Sequence, residues 1–257
     1  PTICTFGFGS NLMSDILSKI AEIGSGWYCY IPDATFVGTI FVNSIANTLS
    51  IVANNVNLKV ELPNSQDTIF NKNIDIITNE QTKTILFDFN THDQYNDDTL
   101  FRFTINYQKN GKKYTYSQDI SYEVIKTSND ISRDYINIEL SRNRAIETIM
   151  TSNNYMMYYD KKSANRNIID GIKDINSYLA NGANSDVIKN ILTDLRGQVT
   201  EAISRKDWYD KWGKHYMPSL IRAHELQICN NFKDPGVQHY GGKMFRDLQD
   251  ESNVIFD

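Results

Sequence analysis

The sequence predicts three unlike parts in one chain: an α/β unit, an all-β antiparallel sandwich and an all-α helical bundle. Three observations predict it. Residues 1–50 read strand, helix, strand, helix, with strands that are apolar throughout, as strands covered on both faces are. Residues 51–128 change to a two-residue alternation of apolar and polar side chains, the mark of sheets with one wet face. Residues 129–257 return to apolar stripes at helical spacing, separated by short loops, so these helices are expected to pack as antiparallel hairpins.

In the first part, "TICTFGF" is a strand ended by Gly7 and Gly9. Ser10 or Asn11 caps a helix whose stripe is Leu12, Ile16, Leu17, Ile20 and Ala21, and Gly24 and Gly26 stop it. "WYCYI" is the second buried-type strand. Pro32-Asp33 starts a second helix with Phe36, Val37, Ile40, Phe41, Ser44, Ile45, Thr48 and Leu49 on its stripe. This is a partial doubly wound unit, because two parallel strands make no domain. Each side chain in these strands contributes about 1.5–3 kcal/mol when buried, and an open apolar edge invites aggregation. The expectation is therefore that material outside this chain, a protein partner or a missing N-terminal segment, covers residues 1–50.

In the second part, Val56, Leu58, Val60 and Leu62 alternate with Asn57, Lys59 and Glu61. "TILFDF" reads as a further strand, and Phe101, Phe103, Ile105 and Tyr107 mark the next. Asn110-Gly111 is a hairpin turn, since both residues tolerate positive φ. The returning strand carries Ile120, Tyr122 and Val124. In the third part, helices run through 133–150, through Ile168, Ile172, Ile175 and Leu179 to Asn181-Gly182, and from Ser185 through Val187, Leu195 and Ile203. A short aromatic helix "DWYDKWGKHY" follows, then a helix expected to start at Pro218, where a missing N–H is harmless.

The bulk composition narrows the function classes. The 257 residues carry a net charge of −5 and no basic run longer than "KNGKK", which argues against a nucleic-acid or anionic-membrane partner. Cys4, Cys29 and Cys229 have no metal-type spacing and suit a reducing compartment, and no window reaches the apolar length of a membrane span. Asn and Ile are abundant in strands, helices and loops alike, as the coding bias of an AT-rich genome produces. No signal peptide is expected, and the predicted location is cytoplasmic, or within a virion.

The stretch "FGFG…L..IA..G.G.Y.YIPD...VGT.FVN.IAN" resembles the last strand–helix–strand–helix of a von Willebrand factor A (vWA) domain, and "LIRAHELQICNNFKDPGVQHYGGKMF" resembles the vWA/Hedgehog-intein-like linker region of intracellular vWA proteins. The resemblance implies a vWA domain, then a β-sandwich, then a helical region; some members add a Hint or U-box domain. It also implies a protist, fungal or giant-virus source. The family's Asp-x-Ser-x-Ser metal loop maps before Pro1, so the resemblance assigns no metal ligand and no cofactor to this chain. A Hint catalytic Cys would lie after its end, so Cys229 does not take that role.

Candidate chemistry is sparse. His224 lies on an apolar stripe and is expected to be a packed histidine with one buried hydrogen bond; His215 and His239 are expected in exposed loops. His92 tips the acidic stretch "THDQYNDD", which lacks calcium-loop spacing. "GFGSN" lacks the spacing of a phosphate loop, so Gly7 and Gly9 are read as turning the chain. Trp208, Tyr209, Trp212 and Tyr216 are the interaction candidates, because tryptophan and tyrosine dominate interface energetics. No catalytic residue is assigned. The expected function is a non-catalytic interaction or scaffolding protein within a larger assembly, a viral one included. The alternative is part of a multidomain vWA regulator whose metal site and Hint or U-box domain lie elsewhere.

Overall fold

The computed structural model describes residues 2–63, 67–88, 95–96, 98–127, 133–180, 185–231 and 233–256. β1 (Thr5–Phe8), α1 (Ser14–Ile23), β2 (Tyr28–Ile31) and α2 (Val37–Ser50) follow in the expected order. The turn into α2 is capped by the Asp33 carboxylate, which accepts the Thr35 N–H at 2.9 Å. The two strands pair in parallel, from Thr5 beside Tyr28 to Phe8 beside Ile31. Gly26 lets the chain before β1 come close: a Cβ there would lie 2.1 Å from the Ile3 carbonyl oxygen.

β2 is buried along its whole length. Strand alternation sends Tyr28 and Tyr30 to one face and Trp27, Cys29 and Ile31 to the other. The first pair packs with Ala21 of α1 and with helices of the C-terminal half; the second set packs with Ile40, Ile76, Leu226 and Ile228. The expected source of this cover is thereby corrected for β2: the chain folds its own distant elements over both faces.

α2 runs directly into β3 (Ile51–Glu61), followed by β4 (Thr68–Thr78), β5 (Leu100–Lys109) and β6 (Lys112–Ser121). They form one antiparallel sheet in the order β4-β3-β5-β6. Among the described residues the sheet is a single layer rather than the expected sandwich. The 109–112 turn is as expected, with Asn110 at φ 50° and Gly111 at φ 75°. "TILFDF" is not a strand over its described residues, 84–88. Its surroundings explain why: the Lys83 ammonium donates to the Ile76 and Leu226 carbonyls at 2.7 Å each, Gln227 donates to the Thr84 carbonyl at 3.0 Å, and Phe87 stacks on Phe70. The segment is a strap between sheet and helices, and its apolar side chains pack without joining a ladder. β6 ends at Ser121, so Tyr122 and Val124 belong to a helical turn, α3 (Tyr122–Thr127).

The C-terminal half is helical: α4 (Arg133–Met157), α5 (Lys161–Ala180), α6 (Asp186–Asp194), α7 (Thr200–Ser204), α8 (Lys206–Trp208), α9 (Lys214–Leu226), α10 (Pro235–Gln238) and α11 (Lys243–Phe256). Two π-turns, Leu195–Val199 and Tyr209–Gly213, interrupt the α6–α9 stretch. The expected helix end at Asn181-Gly182 and the His92 stretch at 91–94 lie outside the described residues. Pro218 is inside α9 rather than at its first turn, because the helix starts earlier, straight from the second π-turn. The Lys214 carbonyl that a proline at 218 leaves without its helical donor faces the Ser14 hydroxyl at 3.2 Å.

Candidate interaction surface

Of the four aromatic residues singled out by the sequence, Trp212 and Tyr216 are in ring contact, while Trp208 and Tyr209 have other neighbours, and the four are not turned outward as a set. Tyr209 and Tyr216 are buried; the Tyr209 hydroxyl is 2.9 Å from Asn153 Oδ1 and the Tyr216 hydroxyl donates to Asp234 at 2.8 Å. Trp212 is half-buried against Tyr216, and Trp208 is half-buried beneath the Arg205 guanidinium. The histidines also differ from expectation. His215 is fully buried on α9, with Nε2 3.1 Å from the Ser10 carbonyl and Nδ1 2.9 Å from the Ser14 hydroxyl. A carbonyl only accepts, so Nε2 carries the proton and Nδ1 is an acceptor, which shares the one Ser14 hydroxyl hydrogen with the Lys214 carbonyl. His239 is half-buried against Tyr240. His224 is buried and its Nδ1 meets the Tyr240 hydroxyl at 2.9 Å; burial pushes its pKa down to about 3. Among the described residues no three His, Cys, Asp or Glu side chains converge as metal ligands.

A different surface stands out. β1 gives its odd-numbered amides to β2: Ile3 bonds to Gly24, Thr5 to Trp27 and Gly9 to Ile31, at 2.9–3.0 Å. In a parallel ladder the even-numbered groups, those of Cys4, Phe6 and Phe8, then point to the far side. Among the described residues that side carries no strand. Beside it, α1 leaves Ile16, Ile20 and Ile23 exposed, three and four residues apart and hence on one face, with Met13 exposed just before the helix. On α2, Phe41 is 42% exposed, Ile45 56% and Leu49 57%, a row at four-residue spacing. The row starts at the strand, for Phe6 and Phe41 stack with ring centres 4.5 Å apart.

α2 therefore leaves an apolar row outside while burying several polar side chains. Its buried residues are Asn43, Ser44, Asn47 and Ser50 together with Ile40, Val42 and Ala46. Burial of these polar groups is offset by hydrogen bonds: Asn47 donates to the Cys229 carbonyl at 2.8 Å, Ser44 accepts from the Trp27 indole at 3.2 Å, and Ser50 donates back to Ala46 at 2.7 Å. The outer apolar row is what remains of the eight-residue stripe in the sequence; periodicity marked both sets without separating them. One further signal was present. Between Pro1 and Leu58 the only charged residues are Asp15, Lys19, Glu22 and Asp33, and charge depletion is a property of interface centres.

The chain's comparison with known proteins gives one family match. Residues 185–254 match the family model described as VWA / Hh protein intein-like. No curated protein and no solved structure gives a significant match. The matched span runs from the residue before α6 to within α11, and so contains α9, the helix that covers one face of β2. Over residues 185–254 the chain is thus similar to the VWA / Hh protein intein-like family, a match that supports a vWA-related region there.

Proposed function

We propose that this chain is a non-catalytic protein–protein interaction module whose working surface is the open side of β1 with the apolar rows of α1 and α2. The occupant is a β-strand running alongside β1, with apolar side chains covering both rows, as in addition of a strand to a sheet edge. On this reading the first fifty residues are the terminal part of a vWA-type sheet, and the strand comes from a protein partner or from a further segment of the same protein. The observation that carries the proposal is the row Phe41, Ile45 and Leu49, left exposed on α2 while the helix buries asparagine and serine beside Ile40, Val42 and Ala46. A helix selected only to stabilise this chain would bury that row.

The test places charges on the rows. Site-specific photocrosslinkers at Phe8 and Ile45, in the natural host, should trap one and the same protein or segment, whereas a crosslinker at the exposed Ile169 of α5 should not. With the crosslinker at Phe8, Ile20→Lys with Ile45→Lys should abolish the adduct and also reduce self-association of the purified chain, with the thermal midpoint unchanged. An adduct that survives both lysines, or adducts equally strong from Ile169, would remove the surface from consideration.

A further inference from the structure

A cavity of about 220 Å³ opens at the C-terminal end of β2, where Tyr30 and Phe36 face α9 and the second π-turn. Four aromatic side chains are part of its wall. Trp212 and Tyr216 stand at 59° to each other with centres 5.7 Å apart, forming a corner, and Tyr30 and Phe36 line the cavity with them, beside Pro32, Ile40 and the polar Ser219 and Asn230. Trp212 is carried by the Tyr209–Gly213 π-turn, and the Leu195–Val199 π-turn supplies Gln198 to the same wall. Such turns insert one residue into a helix and re-aim its neighbours, and they recur at functional sites.

The charge in and around the cavity has a definite sign. Asp234 is 1% exposed, and its two oxygens accept from the Tyr216 hydroxyl at 2.8 Å and the Asn231 amide at 2.9 Å. Glu201 stands exposed at the rim. Against these two carboxylates there is one ammonium, that of the exposed Lys233, and it already lies over the Phe36 ring, 4.0 Å from its centre. Aromatic faces attract cations through the ring quadrupole. The volume is below the ~300–1,000 Å³ of sites for drug-sized ligands, and it suits one side chain or one small amine.

We propose that this cavity binds an alkylammonium group, with Trp212 and Tyr216 forming the cage, Asp234 and Glu201 supplying the counter-charge, and Lys233 acting as a built-in competitor for the Phe36 face. The site is independent of the β1 surface and stands or falls without it. Burial pushes Asp234 up only to about 6, so it is an anion at neutral pH. The Lys233 contact shows which chemistry the rim accepts.

Ligand-observed NMR with n-butylammonium, with 1-butanol as the neutral isostere, tests this on the whole chain. Butylammonium should bind saturably with millimolar affinity and butanol much more weakly. Trp212→Ala should weaken binding roughly tenfold, the order of a cation–π contact. Should that variant fail to fold, two surface variants decide. Glu201→Gln should weaken binding about threefold, and Lys233→Ala should tighten it by a similar factor, an effect that no structural role of Lys233 produces. A Gly-Lys-Gly peptide amide that binds more tightly than butylammonium identifies a protein side chain as the source; equal or weaker binding identifies a free amine. Equal binding of butanol and butylammonium, or indifference to both surface variants, overturns the proposal.

Discussion

At the scale of single residues, Arg222 joins parts of the chain that the sequence separates. Its guanidinium donates to the Gly26 carbonyl at 2.8 Å and to Asp75 at 2.9 Å, and reaches Glu225 at 3.3 Å, with 6% of the residue exposed. Asp75 sits at φ 66° in a β-bulge opposite Val56, which aims its carboxylate out of the sheet at Arg222. Arg222→Met should lose about 3–5 kcal/mol in urea unfolding, since Asp75 loses its hydrogen-bonded cation and keeps only the charge of Lys83 near it; Asp75→Asn in that background should recover part of the loss. Asp194 makes a second prediction. Burial, with Asp234 adding to it, pushes its carboxyl from 3.8 up to about 8. The folded chain then holds a proton that the unfolded chain releases, so this stabilisation is full below about pH 4 and is lost as pH rises through about 8. Lys83 acts in the opposite sense: burial pushes it down to about 7, so its penalty is full below that pH and is relieved on the alkaline side. Between pH 5 and 7 the buried His224 and His239, held down at about 3 and about 4, act against the aspartates, because there the unfolded chain takes up protons that the folded chain refuses. Asp194→Asn should therefore make the thermal midpoint at pH 7 higher relative to that at pH 5 than it is in the wild type; an unchanged difference between the two pH values would exclude Asp194 as a contributor. None of these partners was legible beforehand, because a lone Arg or Asp in a sequence carries no sign of what stands opposite.

At the scale of elements, the strand and helix periods of residues 1–50 and the Asn110-Gly111 turn were legible, because they depend on backbone preferences within a few residues. Gly111→Ala should cost about 1–2 kcal/mol, the penalty of a Cβ at φ 75° in a two-residue hairpin; a smaller loss in chemical denaturation would mean that the turn relaxes. "TILFDF" was misread for the converse reason. Its β-prone residues satisfied a local rule, yet the carbonyls and amides it meets belong to α9 and to the side chains of Gln227 and Lys83. α2 illustrates the same limit. Asn47→Ala should destabilise by about 1–3 kcal/mol, since the Cys229 carbonyl would be buried without its donor, while Ile45→Lys on the opposite face should stay within about 0.5 kcal/mol of wild type. Thermal melts of the two variants measure which face is the structural one.

At the scale of the whole molecule, the hydrophobic clusters run across the three regions seen in the sequence. One joins Ala21, Tyr28 and Tyr30 to the helices; another joins Trp27 and Ile31 to Ile76 of β4 and Leu226 of α9. Trp27 is fully buried in the second cluster. Unfolding should therefore be one cooperative transition, with the fluorescence of Trp27 in a Trp208→Phe, Trp212→Phe background coinciding with helix loss by circular dichroism. Separate midpoints would show that the regions fold as independent units. By itself the sequence determined the order of strands and helices, the change of period at residue 51 and the low charge of the first segment, because these follow from local conformational preference and composition. The tertiary structure alone decided that α9 covers β2, that α2 leaves an apolar row outside, and that an aromatic cavity forms around Asp234. Those outcomes depend on packing and hydrogen bonds between residues some two hundred positions apart, such as Ser219 to the Tyr28 carbonyl, and no local pattern encodes them.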